Sequence, residues 1–165
     1  MAMISVWRLA DDEQIAELAH DPEHLEELLG EEAPDIDLDH AWHGIHFLLT
    51  GSARGTAGPR GYILGGHPLG DPASRMSGGY ASARALSSEE VGLFDDLLQC
   101  ISTADFRFRF NPDALIAADV YPGNWERALT GEEDVLAYLE DHFVHLKQFV
   151  SAAHRDGLGI ITYLA

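Results

Sequence analysis

Three histidines at a spacing of three residues are the first candidates for chemistry in this chain. The chain has nine histidines, of which His40, His43 and His46 form this run. On a helix, His43 and His46 share a face with Asp39, and two imidazoles with a carboxylate can hold zinc or a similar ion. However, the sequence has no His-Glu-x-x-His motif and no pair of cysteines. We therefore expect exposed histidines beside acids, with no metal site and no cofactor.

His46 is the most interesting single residue of this run. It falls at the border between the apolar face that carries Trp42 and the polar face of the same predicted helix. A border imidazole can accept a proton or bind a ligand. It can also hydrogen-bond a backbone carbonyl and stabilise the fold, and we favour this second interpretation. Thr50, followed by Gly51, is expected to mark the end of the helix.

Arg84 is a candidate because positive side chains are scarce here. The chain has 10 Lys and Arg against 28 Asp and Glu. The guanidinium of Arg84 either pairs with one of these carboxylates or recognises an anionic ligand through its planar fork. Tyr80 lies on the same predicted strand. Tyr121, Pro122 and Trp125 form an aromatic turn, which either packs as a corner or provides one wall of a pocket.

The glycines and the single cysteine do not match known catalytic motifs. Gly65-Gly66 and Gly78-Gly79 lack the phosphate-loop and dinucleotide-binding patterns, and the Gly-x-Ser-x-Gly elbow is absent. Cys100 lies on the apolar side of a predicted helix, where we expect a buried thiol that packs as a small hydrophobic group. One cysteine excludes an internal disulfide.

The charge balance limits the class of partner. A net charge of -18 disfavours nucleic acids and anionic membrane surfaces, which both attract clustered positive charge. A basic protein partner is electrostatically plausible, although acidity also serves solubility. No apolar run approaches the roughly 18 residues of a membrane span, and no secretory signal is visible. We therefore expect a soluble, cytoplasmic protein.

The elements that must position these side chains alternate between strands and helices. This order predicts an α/β fold, with a sheet covered by helices, in one domain that spans residues 1–165, and it leaves open whether the two terminal strands lie side by side. The predicted elements are a strand over 3–9, helices that begin at Asp11-Asp12 and Asp21-Pro22, a surface turn over 31–35, a helix over 38–50 capped by Asp37, a strand over 80–86, a helix over 88–102, a helix over 131–155 with a Thr130–Glu133 capping box, and a strand over 158–164.

One segment has an ambiguous pattern. Phe106, Phe108 and Phe110 alternate with Arg107 and Arg109, which is typical of a half-buried strand or extended segment. Asn111-Pro112-Asp113 follows at once, so a loop that leads into a short helix is an equal alternative.

Several segments, in this order, resemble the YfbM-like family, known as domain-of-unknown-function family 1877. They are Trp42-His43-Gly44-Ile45-His46-Phe47-Leu48-Leu49-Thr50-Gly51, Ile63-Leu64-Gly65-Gly66, Gly79-Tyr80-Ala81-Ser82-Ala83-Arg84 and Val120-Tyr121-Pro122 with Trp125. Ala81-Ser82 stands where the family pattern has Gly-Pro. The resemblance implies a layered α/β sandwich with a mostly buried sheet, and it implies no established activity.

Two functional hypotheses follow. The leading one is a non-catalytic binding module for a protein partner. The alternative is an enzyme or small-molecule sensor with a pocket around His46, Arg84 and Tyr121. The expected ligand-binding residues are Trp42, His46, Thr50, Tyr80, Arg84, Tyr121 and Trp125.

Overall fold

The two chain ends meet in the middle of an antiparallel sheet. The computed structural model describes residues 3–70, 81–131 and 134–165. Within these residues the sheet has the order β2-β1-β5-β4-β3, and β1 pairs with β5 along its full length. The two terminal strands therefore lie side by side, which the sequence had left open. The strands are β1 (Ser5–Ala10), β2 (Asp35–Asp37), β3 (His67–Pro68), β4 (Ala81–Leu86) and β5 (Gly159–Leu164).

Helices cover both faces of this sheet. The period of two in β5 sends Ile160 to one buried cluster and Ile161 to the other. The larger cluster lies under α3, α4 and α8, and the smaller one lies under α1 and α2. This arrangement confirms the predicted layered α/β fold. The helices are α1 (Asp12–His20), α2 (Leu25–Gly30), α3 (Trp42–Thr50), α4 (Ser88–Gln99), α5 (Thr103–Phe108), α6 (Pro112–Ala117), α7 (Glu126–Thr130) and α8 (Val135–Arg155), with short 3-10 turns at Pro22–His24 and Pro59–Gly61.

The predicted start of α3 was wrong. The helix begins at Trp42, not at residue 38, because Asp37 ends β2 and its carboxylate accepts a hydrogen bond from Asp39 N at 3.2 Å. Asp39 then takes a left-handed backbone conformation, with φ of 45°, which interrupts a right-handed helix. The expected surface turn over 31–35 likewise runs into β2, whose residues pair with β1.

The predicted cap of α8 was also wrong. Thr130 ends α7, and Gly131 follows in the left-handed region with φ of 71°. Asp134 is the N-cap, since its carboxylate accepts a hydrogen bond from Ala137 N. Glu133 lies outside the described residues. The rest of α8 packs as expected, with Leu139, Phe143, Leu146 and Val150 fully buried.

The structure excludes the extended alternative for the Phe106 segment, and the short helix of the other alternative is present as α6. Ser102 forms a capping box with Asp105, so the Phe106 segment is helical and not extended. Phe106 is buried, whereas Phe108 is 92% exposed. Cys100 follows α4 as its C-cap and is exposed, so the prediction of a buried thiol was wrong. Among the described helices, none is long and apolar enough to cross a bilayer.

Candidate functional site

Trp42 is the residue around which the candidate site is built. It is the first residue of α3 and is 7% exposed. Its ring stacks on His43 and Tyr121, with ring centroids 5.1 and 5.6 Å away, and its Nε1 donates a hydrogen bond to Met3 O at 3.0 Å. The indole therefore ties α3 to the N-terminal segment and to the aromatic turn.

His43 uses both ring nitrogens for structure. Its Nδ1 accepts a hydrogen bond from Tyr121 N at 2.9 Å, so the proton sits on Nε2, which donates to Ala53 O at 2.8 Å. This neutral tautomer has no lone pair left for a metal ion. In the part of the chain that the structure describes, no group of three or more His, Cys, Asp or Glu is arranged to hold a metal.

His46 hydrogen-bonds the backbone of Arg54, the residue that follows the Ala53 bonded by His43. His46 is 0% exposed, and its Nε2 lies 2.8 Å from Arg54 O. The interpretation that His46 bonds a backbone carbonyl is therefore confirmed. Its Nδ1 is buried and has no hydrogen-bond partner among the described residues. Burial lowers the pKa of His46, and this effect outweighs the carbonyl of Arg54, which favours the charged form. Together His43 and His46 fix the backbone of residues 53–54.

We expect His46→Ala to lower the free energy of unfolding by about 1–3 kcal/mol, because the variant leaves the carbonyl of Arg54 without its buried donor. Urea titration of the wild type and the variant measures the difference. His46→Gln is the control, since its amide can donate to the same carbonyl, and it should recover part of the loss. An unchanged midpoint for His46→Ala would contradict the structural role.

The lowered pKa also predicts a pH dependence. As the pH falls below the ordinary histidine pKa of about 6.5, His46 binds a proton in the unfolded chain but stays neutral in the folded protein. The free energy of unfolding is therefore not reduced by His46 above the pKa of the unfolded chain. It falls as the pH decreases from that pKa towards the lower pKa of the folded state. The stability difference between the wild type and His46→Gln should change with this sign across that window. A flat difference would contradict the assignment.

Trp42 and Arg84 come together at one cavity, which we call the Arg84 cavity. It has a volume of about 340 Å³ and lies between the start of α3 and the sheet. Arg84 of β4 and Thr162 of β5 are directly paired across strands, so their side chains share a face. The other described residues that line it are Ser5, Gly55, Ile63, Leu64, Tyr163 and Leu164.

The loop held by the two histidines forms one wall of this cavity. Gly55 follows the two carbonyls that His43 and His46 bind. Gly61 has no room for a side chain, because a Cβ there would clash with the carbonyl of Thr56. The loop over 53–56 therefore lies directly against the segment that carries Ile63. His46 contributes to the Arg84 cavity through this loop, and it is not one of the residues that line it.

The aromatic turn forms a packed corner beside a second cleft. Tyr121 OH accepts a hydrogen bond from Met3 N and lies 3.0 Å from His40 Nδ1. Trp125 is buried and donates from Nε1 to Val120 O at 2.7 Å. The second cleft, of about 290 Å³, is lined in part by Trp125 and Tyr138. Burial and the hydrogen bond to Asp39 raise the pKa of Tyr138 to about 12.

The predicted site residues are thus only partly brought together. Trp42 and Arg84 share a cavity, Tyr121 stacks on Trp42, and Trp125 lines the second cleft. Thr50 closes α3, with its hydroxyl 2.8 Å from His46 O. Tyr80 lies outside the described residues. Neither the Arg84 cavity nor the second cleft is lined by His46, Arg84 and Tyr121 together.

A groove between α1 and α2 was not predicted. It has a volume of about 740 Å³, and the apolar residues that line it include Ala16, Leu18 and Leu28. We call it the acidic groove, because five carboxylate side chains are among the described residues that line it: Glu13, Glu17, Asp21, Glu27 and Glu31. The spacing of Glu13 and Glu17, one helical turn apart, is the signal that could have indicated a shared acidic face.

Comparison with known proteins supports the fold and names no activity. A family model described as "Domain of unknown function (DUF1877)" matches residues 1–163. The chain is similar to the crystal structure of YfbM from Escherichia coli, a protein of unknown function, with a TM-score of 0.75 and 21% sequence identity over 99% of this chain and 100% of that chain. No curated protein matches the chain significantly.

Proposed function

We propose that this chain, which belongs to the DUF1877 family of unknown function, is a non-catalytic cytoplasmic module that binds a basic protein partner. The acidic groove receives a segment of that partner that carries lysine or arginine. The observation that carries the proposal is the lining of the groove, where five carboxylates lie with apolar side chains and with His20 and His24, and none of the described lining residues is Lys or Arg.

The chemistry of the groove suits long cationic side chains. The carboxylates of Glu13, Glu17 and Glu27 are solvent-exposed at its rim. The aliphatic stem of a lysine or arginine can pack on Leu18 and Leu28, while its charged head reaches the rim. Carboxylates also accept paired hydrogen bonds from a guanidinium. The groove therefore offers both parts of such a side chain a matching surface.

The net charge of the chain favours the same class of partner. A charge of -18 steers a basic protein towards the surface and raises the association rate at low salt. The α3 histidines, by contrast, are poorly placed for proton transfer to a substrate, since His43 uses both ring nitrogens and the Nδ1 of His46, which has no partner within the described part of the chain, is buried. These features support binding over catalysis at α3.

The test is a pull-down with two variants of equal charge. The groove variant carries Glu13→Gln, Glu17→Gln, Glu27→Gln and Glu31→Gln. The control carries Asp96→Asn, Asp113→Asn, Glu126→Gln and Asp141→Asn, four exposed acids outside the groove. Each variant removes four negative charges, so a general effect of net charge weakens capture by both equally.

We expect the wild type and the control to retain a basic protein at low salt, and the groove variant to lose it. Capture should weaken at high salt, because the Debye length shortens to about 3 Å at 1 M. Equal capture by the groove variant, equal loss from both variants, or no specific protein at any salt concentration would each overturn the proposal.

The sensor hypothesis is a second candidate, and one observation favours it. Trp42 and Arg84 line the same cavity. A ligand that contacts both residues needs such a shared cavity. The aromatic ring of Trp42 and the guanidinium of Arg84 provide a hydrophobic surface and a charged donor. On this hypothesis Tyr121 and His46 do not contact the ligand. Tyr121 stacks on Trp42, and His46 bonds the loop over 53–56, which includes Gly55.

A further inference from the structure

The Arg84 cavity differs from the rest of the molecule in its charge. The chain carries 28 Asp and Glu, yet none of the described residues that line the cavity is acidic, and the charged group among them is Arg84. The ion pairs formed among the described residues do not involve Arg84. The expected ion pair between Arg84 and a carboxylate is therefore not found within those residues.

Two buried residues with hydroxyl groups line the same cavity as Arg84. Thr162 is 6% exposed and lines the cavity, and its hydroxyl forms no hydrogen bond among the described residues. A threonine hydroxyl in such a position can donate a hydrogen bond to a ligand in the cavity. Ser5, also buried, accepts a hydrogen bond from Trp7 Nε1, so its own proton remains free to donate. Arg84, Thr162 and Ser5 thus bring one guanidinium and two hydroxyl groups to one cavity.

The other residues that line the cavity indicate what kind of molecule the charged group of the ligand should be attached to. The side chains of Trp42, Ile63, Leu64 and Leu164 are apolar, so the cavity joins a cationic donor group to a hydrophobic surface. Its volume of about 340 Å³ lies at the small end of the range of roughly 300–1,000 Å³ for ligand pockets. A single guanidinium balances one negative charge and pairs with a carboxylate through two parallel hydrogen bonds.

We propose that the Arg84 cavity binds a small monoanionic carboxylate, whose carboxylate is held by Arg84 and Thr162 and whose apolar body packs against Trp42 and Ile63. This inference specifies the ligand class for the sensor hypothesis and rests on that hypothesis alone. The acidic groove is a separate surface, so the pull-down described above does not depend on ligand binding in the cavity.

Benzoate is the probe. Benzamide and benzylamine are its controls, because both have nearly the same shape, while benzamide is neutral and benzylamine is positively charged. Phenyl phosphate adds a ligand that can carry a second negative charge. Each is titrated into the full chain and followed by calorimetry or by amide NMR shifts. We expect saturable binding of benzoate in the millimolar range or below, and binding at least about tenfold weaker for the other three.

Variants locate the binding in the cavity. Arg84→Gln removes the charge and should weaken benzoate binding by about tenfold or more. Thr162→Val keeps a β-branched side chain of the same shape in the strand and should weaken binding by a smaller factor. Arg155→Gln, at an exposed arginine outside the cavity, is the matched control and should bind as the wild type does. Circular dichroism verifies that each variant is folded.

Several results would overturn the proposal: no saturable binding of benzoate, equal binding of benzamide, or tighter binding of phenyl phosphate. Equal loss in Arg84→Gln and Arg155→Gln would assign the effect to net charge and would also overturn it. If Arg84→Gln does not fold, Thr162→Val decides alone, and unchanged benzoate affinity in that variant contradicts the site.

Discussion

Trp42→Ala is expected to lower the free energy of unfolding by about 3–5 kcal/mol, as is usual when a large buried aromatic side chain is truncated. The loss has three parts. The variant leaves a cavity at the start of α3, removes the stacking on Tyr121 and His43, and leaves Met3 O without the donor Nε1. Urea unfolding at neutral pH measures the difference.

Trp42→Phe is the control for this prediction. The smaller ring retains part of the stacking surface but cannot donate to Met3 O, so we expect a loss well below that of Trp42→Ala. A melting temperature of Trp42→Ala within a degree or so of the wild type would show that the indole does not stabilise the fold, since 1 kcal/mol shifts the midpoint by about 2–4 °C at this size.

Phe143→Ala should be equally destabilising, by about 3–5 kcal/mol. Phe143 is fully buried in the middle of α8 and stacks on Phe106, with the ring planes 4° apart and the centroids separated by 4.1 Å. Truncation removes this stacking and opens a void under α5. Thermal unfolding followed by circular dichroism measures the loss, and Phe143→Leu, which keeps most of the volume, should recover part of it. Equal stability of Phe143→Ala and the wild type would contradict the packing.

The two variants together separate stability from ligand binding. Trp42 lines the Arg84 cavity, and Phe143 does not. At a temperature well below both transitions, Trp42→Ala should therefore weaken benzoate binding, while Phe143→Ala should leave it close to the wild-type value. If both variants lose binding to the same extent, the loss reflects general destabilisation, and Trp42 has no specific role in the cavity.

Much of the fold was predictable because it depends on local patterns. Ser87 and Glu90 form the capping box that begins α4, and the apolar stripe of α8 faces the core as its period requires. The errors arose where one residue overrode the pattern. The left-handed Asp39 delays the start of α3, and the capping box at Ser102 turns an alternating segment into a helix.

The candidate site was harder to predict because its parts are distant in the chain. Arg84 stood out on the basis of charge, but its neighbour Thr162 follows only from the register of β4 on β5. Thr162 had no signal of its own in the sequence. His46 was predicted to bond a carbonyl, whereas the identity of that carbonyl, Arg54 O, depends on a loop whose path no local pattern specifies.

The most direct test of the binding role is the affinity of the purified partner from the pull-down for the groove variant and its charge-matched control, measured by calorimetry at low and at high salt. The four substitutions at Glu13, Glu17, Glu27 and Glu31 should weaken binding at least about tenfold. The control should retain the wild-type affinity, apart from a small change in salt dependence. Equal affinities for the two variants would show that the acidic groove does not hold the partner, and would contradict the proposed function.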